Sequence, residues 1–435
     1  MAALAIALAP AGASATADHA GSAAQVDVRF QRVLEEIGRG RLDAALAELD
    51  GLLARHPNFR LAHLVRGDLL LARAKPIAGL GNTGHGGKAV VEDLRAEARA
   101  RLLGIGDRPG PGAIPRQIVQ LAPSQKTAVV VDASRFRVFV DRNDGGSPRL
   151  AEDFYTTLGR NGVEKVREGD RKTPLGAYHV TTHIPGASLP DLYGWGALPI
   201  NYPNEWDRRN GKTGYGIWLH GVPSDTYARA PWSSDGCVAL ANPDMARLAS
   251  FVQPGVTPVV IAERVEWVDA HQWRAEQERF TSQLEQWRKD WESRDTERYL
   301  AHYAREFRGD RGMDRDAWVA HKRRVNAARS WIEVRLDDLS VLHSPGGREL
   351  MLASFEQHYR SNGFEQRSRK RQYWIREDGR WKVAYEGAPS SGRLRTPESF
   401  PSQGFGKVSR REQYAGALPV EEVRRRLDAA SPPRR

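Results

Sequence analysis

The spacing of apolar positions changes twice along this 435-residue chain, and each change marks a different kind of structure. Between residues 25 and 106, Leu34, Ile37, Leu42, Ala45, Leu46, Leu49, Leu52 and Leu53 recur at three- and four-residue intervals, which predicts helices buried along one face. From residue 126 the pattern shifts to alternating or continuously apolar runs. Strands are predicted at 128–132, 136–140, 177–182, 217–219 and 256–261, parted by turn formers such as Asn143-Asp144-Gly145-Gly146. Pro109-Gly110-Pro111-Gly112 and Pro115 predict a linker over 107–125. After Trp267 helical spacing returns: Leu284, Trp287 and Trp291 share one face, and Tyr299, Leu300, Tyr303 and Phe307 the next, with Asp295 as the N-cap between them. Strands follow around 332–336, 351–357, 371–376 and 381–386. The chain therefore reads as a multidomain α+β protein. A helical arm spans 25–106, a mostly-β domain with a curved sheet sandwich spans 126–264, and a third, α+β domain spans 272–388. A basic tail rich in Pro, Ser, Gly and Arg occupies 390–435.

Charge narrows the partners. Lys and Arg number 65 against 54 Asp and Glu, a net +11. The basic residues are spread along the chain and form no zinc-finger, homeodomain or helix-turn-helix pattern, so nucleic acid is not the expected partner. An anionic polymer with free carboxylates suits the charge better. Residues 2–11 are nearly all apolar, and Ala13-Ser14-Ala15 or Ala15-Thr16-Ala17 offers a small-x-small cleavage pattern, so 1–17 reads as an export signal, though without the usual basic start. That stretch is too short to span a bilayer, no other segment approaches twenty apolar residues, and the expected location is the periplasm or cell envelope. A single cysteine, Cys237, excludes an intrachain disulfide framework. The glycine-rich segment 78–88 is not a phosphate loop: Asn82 stands where the first glycine is needed and Ala89 where Ser or Thr would be. His179 and His183 would lie about 13 Å apart on a strand. With no cysteine pair and no His-Glu-x-x-His helix, neither metal nor cofactor is expected.

The lone cysteine sits in Trp232-Ser233-Ser234-Asp235-Gly236-Cys237-Val238, seventeen positions after the histidine of Trp218-Leu219-His220-Gly221. A thiol becomes a nucleophile when a base takes its proton and backbone amides hold the oxyanion. His220 ends an apolar strand-like run, and Gly221 and Gly236 allow tight turns beside each side chain. A buried lone cysteine and a satisfied core histidine are the ordinary alternative, but the flanking glycines and serines favour the catalytic reading.

These pieces resemble the signature of the L,D-transpeptidase (YkuD-type) catalytic domain. Thr157-Leu158-Gly159-Arg160-Asn161-Gly162 and Gly169-Asp170-Arg171-Lys172-Thr173-Pro174-Leu175-Gly176-Ala177-Tyr178 match further parts of it, in the same order. Two positions depart from the usual Ser-His-Gly-Cys-x-Arg: Asp235 replaces the second histidine and Ala239 stands where arginine is common. Gly40-Arg41-Leu42-Asp43-Ala44-Ala45-Leu46, followed by Pro57-Asn58-Phe59-Arg60-Leu61-Ala62, resembles one tetratricopeptide-like hairpin. A single copy cannot bury a continuous core, so the arm is expected to dock on the catalytic domain or to join two copies as a homodimer. Long helices and a sheet ending Gly379-Arg380-Trp381-Lys382-Val383 resemble a nuclear-transport-factor-like cone, expected to bind or position rather than catalyse. This three-part order is similar to that of the cell-shape L,D-carboxypeptidase group.

The resemblance implies attack on the bond between diaminopimelate and D-alanine in peptidoglycan tetrapeptide stems. Cys237 would be the nucleophile, His220 the general base and acid, and the backbone N–H groups of Cys237 and Gly236 or Asp235 the oxyanion donors. Gly221 would shape the turn behind the histidine. Ser234, Asp235, Trp218, Tyr215, Arg229 and Trp232 are candidates for contacts with substrate. The thioacyl-enzyme would pass to an amine, giving 3-3 cross-links, or to water, trimming tetrapeptides to tripeptides. The alternatives are an inactive peptidoglycan-binding scaffold and an enzyme that attaches or releases an envelope protein.

Overall fold

The computed structural model describes residues 23–390 except 78 and 83–86, so the export signal at 1–17, part of the glycine-rich segment and nearly all of the basic tail lie outside the described residues. The arm is four helices: α1 (Ala23–Gly38), α2 (Leu42–Arg55), α3 (Arg60–Ala72) and α4 (Lys88–Gly106). Their apolar face buries Phe30, Val33, Leu49, Phe59, Leu61 and Val65, and closes on Tyr227 and Ala241 of the next domain. The arm thus docks on the second domain, one of the two roles expected for it. A buried ionic network fastens the joint. Asp27 of α1 accepts from Arg101 of α4 (2.5 Å) and from Arg137, which also pairs with Asp153, while Arg101 meets Glu97 (2.8 Å). Each charge is taken out of water only because a partner compensates it.

In the second domain a five-stranded sheet runs in the order Ser147–Tyr155, Arg137–Asp144, Thr127–Asp132, Pro258–Ala262, Gly176–His179. A four-stranded sheet carries Val238–Ala239, Trp218–His220, Gly196–Pro199 and Ile184–Pro185, and Trp232–Ser234 pairs with Leu158–Gly159. Two short helices, α5 (Glu205–Arg209) and α6 (Asn242–Ala249), complete it. The larger sheet is covered on both faces, which is why its strands read as unbroken apolar runs. Val129, Val131, Val259 and Ile261 join Leu219 and Val238 in one core, whereas Ala128, Val130 and Phe139 pack on Ile118, Leu121 and Val265.

That second core corrects the expected linker. Residues 114–115 pair with 267–268, and Ile118–Gln120 adds to the edge of the third domain's sheet through the strand Ile332–His343. The Pro-Gly run marks only the turn before them, and the buried Ile118 and Val119 hold the strand that follows.

The third domain has α7 (Ala270–Glu292), whose N-terminus is held by a capping box of Asp269 and Gln272, then α8 (Thr296–Leu300) and α9 (Arg315–Ala327). Its six-stranded sheet runs Tyr303–Gly309, Arg380–Gly387, Phe364–Glu377, Leu350–Ser361, Ile332–His343, Ile118–Gln120. Asp295 caps α8 as expected, accepting from Arg298 N–H at 3.1 Å. Tyr303 and Phe307, assigned from spacing to a helix, lie on a strand instead. A separation of four fits a helical turn and an even strand step equally well. The domain is fixed to the second by Ala177 and Val260 packing on Leu342, Leu352 and Tyr373, and by Glu205, which accepts from Arg371 (3.3 Å) and the Tyr373 hydroxyl (3.0 Å). No described helix is long and apolar enough to cross a membrane.

Ile118 is fully buried between two domains. Ile118→Ala should lower stability by about 2–5 kcal/mol, read from guanidinium unfolding followed by tryptophan fluorescence. An unchanged midpoint would show that this strand contributes nothing to the joint.

Candidate active site

The site rests on one parallel pairing. Leu219 lies opposite Val238 and His220 opposite Ala239. Leu219 and Val238 are fully buried in the main core, so alternation turns His220 to the other face, and Cys237, one residue before Val238, turns the same way. Extending the register places Cys237 across from Trp218. At ordinary strand spacing the Cα atoms of Cys237 and His220 are then about 8 Å apart.

His220 is buried, and its Nδ1 lies 2.6 Å from the Gly221 carbonyl. A carbonyl can only accept, so Nδ1 carries the proton and the Nε2 lone pair is left as the base. Tyr193 packs edge-on against the imidazole (centroids 5.1 Å) and also meets Trp218 (5.0 Å). Burial lowers the histidine to about 4; the Gly221 carbonyl opposes the shift, and the charge of Arg229 adds to it. The half-buried Cys237 thiol donates to the Gly216 carbonyl at 3.4 Å. Burial pushes it up to about 11, against the pull of a Trp218 backbone hydrogen bond and the charges of Arg229 and Lys165. At neutral pH the thiol and the imidazole are thus both neutral.

The turn before Cys237 is set by contacts a side chain would destroy. Gly236 has φ +119°, and a Cβ there would lie 2.7 Å from the Lys172 carbonyl oxygen. Ser234 closes the turn: its hydroxyl accepts from Gly236 N–H (3.1 Å) and donates to the Cys237 carbonyl (2.7 Å). The Gly236 amide, expected at the oxyanion, is therefore engaged within the turn, and Ser234 serves the loop. Residues 165–173 are organised by Asp170, whose carboxylate accepts from Lys165 Nζ (2.7 Å) and from the N–H groups of Val166 (2.8 Å), Arg167 (3.0 Å) and Lys172 (3.1 Å). Burial alone would raise this carboxyl, but those donors outweigh it and hold it near 2. Asp235 points to Arg160 (3.0 Å) and Arg171 (3.8 Å) and is largely exposed, so it ties the rim of the turn. Trp232 packs edge-on against Phe136 (4.8 Å), Trp218 is buried, and Tyr215 is half-buried three residues before the histidine strand. Arg229 Nη2 donates to the Ser233 carbonyl.

Sequence reasoning missed Asn242. Its Oδ1 accepts from Trp195 N–H (2.9 Å) and Val222 N–H (3.2 Å), and its Nδ2 donates to the Val222 carbonyl (2.8 Å). It thereby clamps the 191–195 segment, which holds Tyr193, to the turn after His220. Gly221 and Gly194 make room for it, since a Cβ on either would come within 2.2 Å of its Oδ1. In the sequence Asn242-Pro243-Asp244 reads only as a helix start. His179 and His183 go separate ways, the first to Arg371 (2.9 Å) and the second stacked on Trp195 (5.0 Å).

Comparison with known proteins places these segments. Residues 126–261 match the family model of the L,D-transpeptidase catalytic domain (YkuD), and residues 279–387 match the Cds6 C-terminal NTF2-like domain. Among solved structures, Bdellovibrio bacteriovorus Bd1075 is 26% identical with a TM-score of 0.57, over 65% of this chain and 100% of that one. The helical cell shape determining protein Pgp2 of Campylobacter jejuni is 24% identical with a TM-score of 0.54, over 62% of this chain and 95% of that one, a likeness of fold. No curated protein matches the sequence.

Asn242→Ala would leave the Trp195 and Val222 amides without their acceptor, each at a cost of about 1–3 kcal/mol if water cannot replace it. The expected result is a lower melting temperature together with faster hydrogen exchange over 191–195. A variant with unaltered melting and exchange would show that Asn242 does not hold this segment.

Proposed function

We propose that this chain, which carries an L,D-transpeptidase-family catalytic domain followed by an NTF2-like domain, is an exported cysteine enzyme that cleaves the diaminopimelate–D-alanine bond of peptidoglycan tetrapeptides. The observation that carries this reading is the register that puts His220 and Cys237 on one face, with Nδ1 held by the Gly221 carbonyl so that Nε2 is the base. The enzyme would work on the outer side of the membrane, where its substrate lies, and the family supports a cell-envelope setting.

In the proposed sequence, Nε2 takes the Cys237 proton as the thiolate attacks the carbonyl at the L-centre. The Cys237 N–H stabilises the oxyanion, since Gly236 N–H is spent on Ser234; such a donor is worth about 3 kcal/mol of barrier. The tetrahedral intermediate breaks its C–N bond, the imidazolium gives its proton to the leaving amine, and D-alanine departs from a thioester. Water, deprotonated by His220, then attacks the thioester and releases the tripeptide and the thiol. Water is preferred as acceptor because the NTF2-like domain gives this chain the domain order of the cell-shape carboxypeptidase group. Transfer to a diaminopimelate amine is the second reading, favoured by the catalytic domain's own family.

Mass spectrometry of disaccharide-tetrapeptide and of tetrapeptide-rich sacculi after incubation with wild type and Cys237→Ala tests both. Tripeptide plus free D-alanine, lost in the variant, is expected; cysteine-dependent 3-3 dimers would establish transfer instead, and no product from either substrate would overturn the proposal. A second measurement checks the resting protonation state. With the thiol near 11 and the imidazole near 4, both groups are neutral between those values. Alkylation of Cys237 by iodoacetamide should therefore rise about tenfold per pH unit from pH 7 to 10. A plateau beginning below pH 8 would reveal a preformed thiolate–imidazolium pair.

A further inference from the structure

The segment joining His220 to the nucleophile turn, residues 222–231, is held at its start by Asn242 and Asp191 of its own domain and along its middle by the helical arm. Asn58 Nδ2 donates to the Ser224 carbonyl (3.1 Å), and the Asn58 carbonyl accepts from Tyr227 N–H (3.3 Å). Arg60 reaches Asp225 (3.4 Å). The buried Tyr227 ring packs on Phe59 (centroids 4.6 Å) and His56 (4.7 Å) and belongs to the arm's apolar cluster, not to the core of its own domain. Behind it lies the Arg101 guanidinium of α4, 4.3 Å from the Tyr155 ring and 5.9 Å from that of Tyr227. Tyr155 then donates its hydroxyl to the Arg229 carbonyl (2.9 Å), an oxygen that also accepts from Thr157 (3.1 Å). Arg229 sends its guanidinium to the Ser233 carbonyl, four residues before the thiol.

A continuous set of packed rings and hydrogen bonds therefore runs from α3 and α4 to the turn that carries Cys237. A loop of ten residues with so much of its anchoring outside its own domain would otherwise sample many courses at little energetic cost. We propose that the helical arm is a positioning element of the catalytic site: through Asn58, Tyr227 and the Arg101–Tyr155 contact it sets the course of residues 222–231 and so places Arg229 beside the nucleophile, where it meets a free carboxylate of the stem peptide. The carboxylate follows from the chemistry of a guanidinium, whose fork of donors suits that planar anion, and this part rests on the substrate proposed above. Tyr227 and Asn58 touch neither thiol nor imidazole and act through Arg229.

The test uses the full chain with Tyr227→Leu, Tyr227→Phe and Asn58→Ala, the last at a half-exposed position that leaves the cores intact. Hydrogen–deuterium exchange is measured over 222–231 and over the strand Thr127–Asp132, alongside kcat and KM on disaccharide-tetrapeptide. Tyr227→Leu and Asn58→Ala should speed exchange in the loop about tenfold or more, leave the strand unchanged, and raise KM by about tenfold with a smaller change in kcat. Tyr227→Phe, which keeps the ring, should restore wild-type values. Loop exchange equal to wild type in both Tyr227→Leu and Asn58→Ala would overturn the positioning role, whatever the activity. A wild type that turns over no tetrapeptide would sink the reaction proposed above while the exchange data still judge the arm. Faster loop exchange with unchanged KM would remove Arg229 from carboxylate recognition.

Discussion

Three stretches of backbone meet at the centre of the catalytic domain with no side chain between them. The carbonyls of Arg171 and Lys172 press against Gly159 and Gly236, where a Cβ would sit 2.6 and 2.7 Å from them. The position of Cys237 depends on this contact, because the turn that presents the thiol lies against the 171–173 segment instead of hanging free. Asp170 makes the support rigid by collecting an ammonium and three backbone N–H groups on one carboxylate. Its pKa is depressed on folding, so its contribution is present above the ordinary carboxylate range and fades only as pH falls towards about 2. The motif pieces scattered from residue 157 to 237 are therefore one contact seen from different strands.

The electrostatics of the pair follow from the same burial. Desolvation penalises a thiolate and an imidazolium alike, raising one pKa and lowering the other. Burial of this kind disfavours a resting ion pair between the two side chains. A neutral thiol also reacts slowly with oxidants, because the thiolate is the reactive species.

How much of this was legible in the sequence depended on the range of the interactions involved. Cys237 and His220 stood out because glycines and serines beside them have local work to do, and the main strands showed because a sheet covered on both faces needs unbroken apolar runs. Ile118–Gln120 was hidden by the Pro-Gly turn just before it, although Ile118 and Val119 are buried. Tyr303 and Phe307 misled because their spacing suits two periodicities. Asp235 was a candidate for contact with substrate; its neighbours Arg160 and Arg171 come from other loops and draw it to the rim. Asn242 and the Asp27–Arg137 pair, 110 residues apart, act across distances that no local pattern encodes.

The two accessory units bear on the catalytic domain from different sides, and this assigns them different work. Along Pro258–Ala262, Val259 and Ile261 face the core that carries the His220 and Val238 strands, while Val260 faces the third domain with Ala177. The third domain thus grips the back of the sheet, where Glu205, Arg371 and Tyr373 lock it in place without reaching the thiol. The arm, by contrast, takes Tyr227 and Ala241 into its own core, one from the loop between base and nucleophile and the other just beyond the nucleophile strand. A unit fixed to the back of a sheet has little purchase on the residues at its front. A unit that takes Tyr227 into its own core bears directly on the course of the loop between His220 and Cys237.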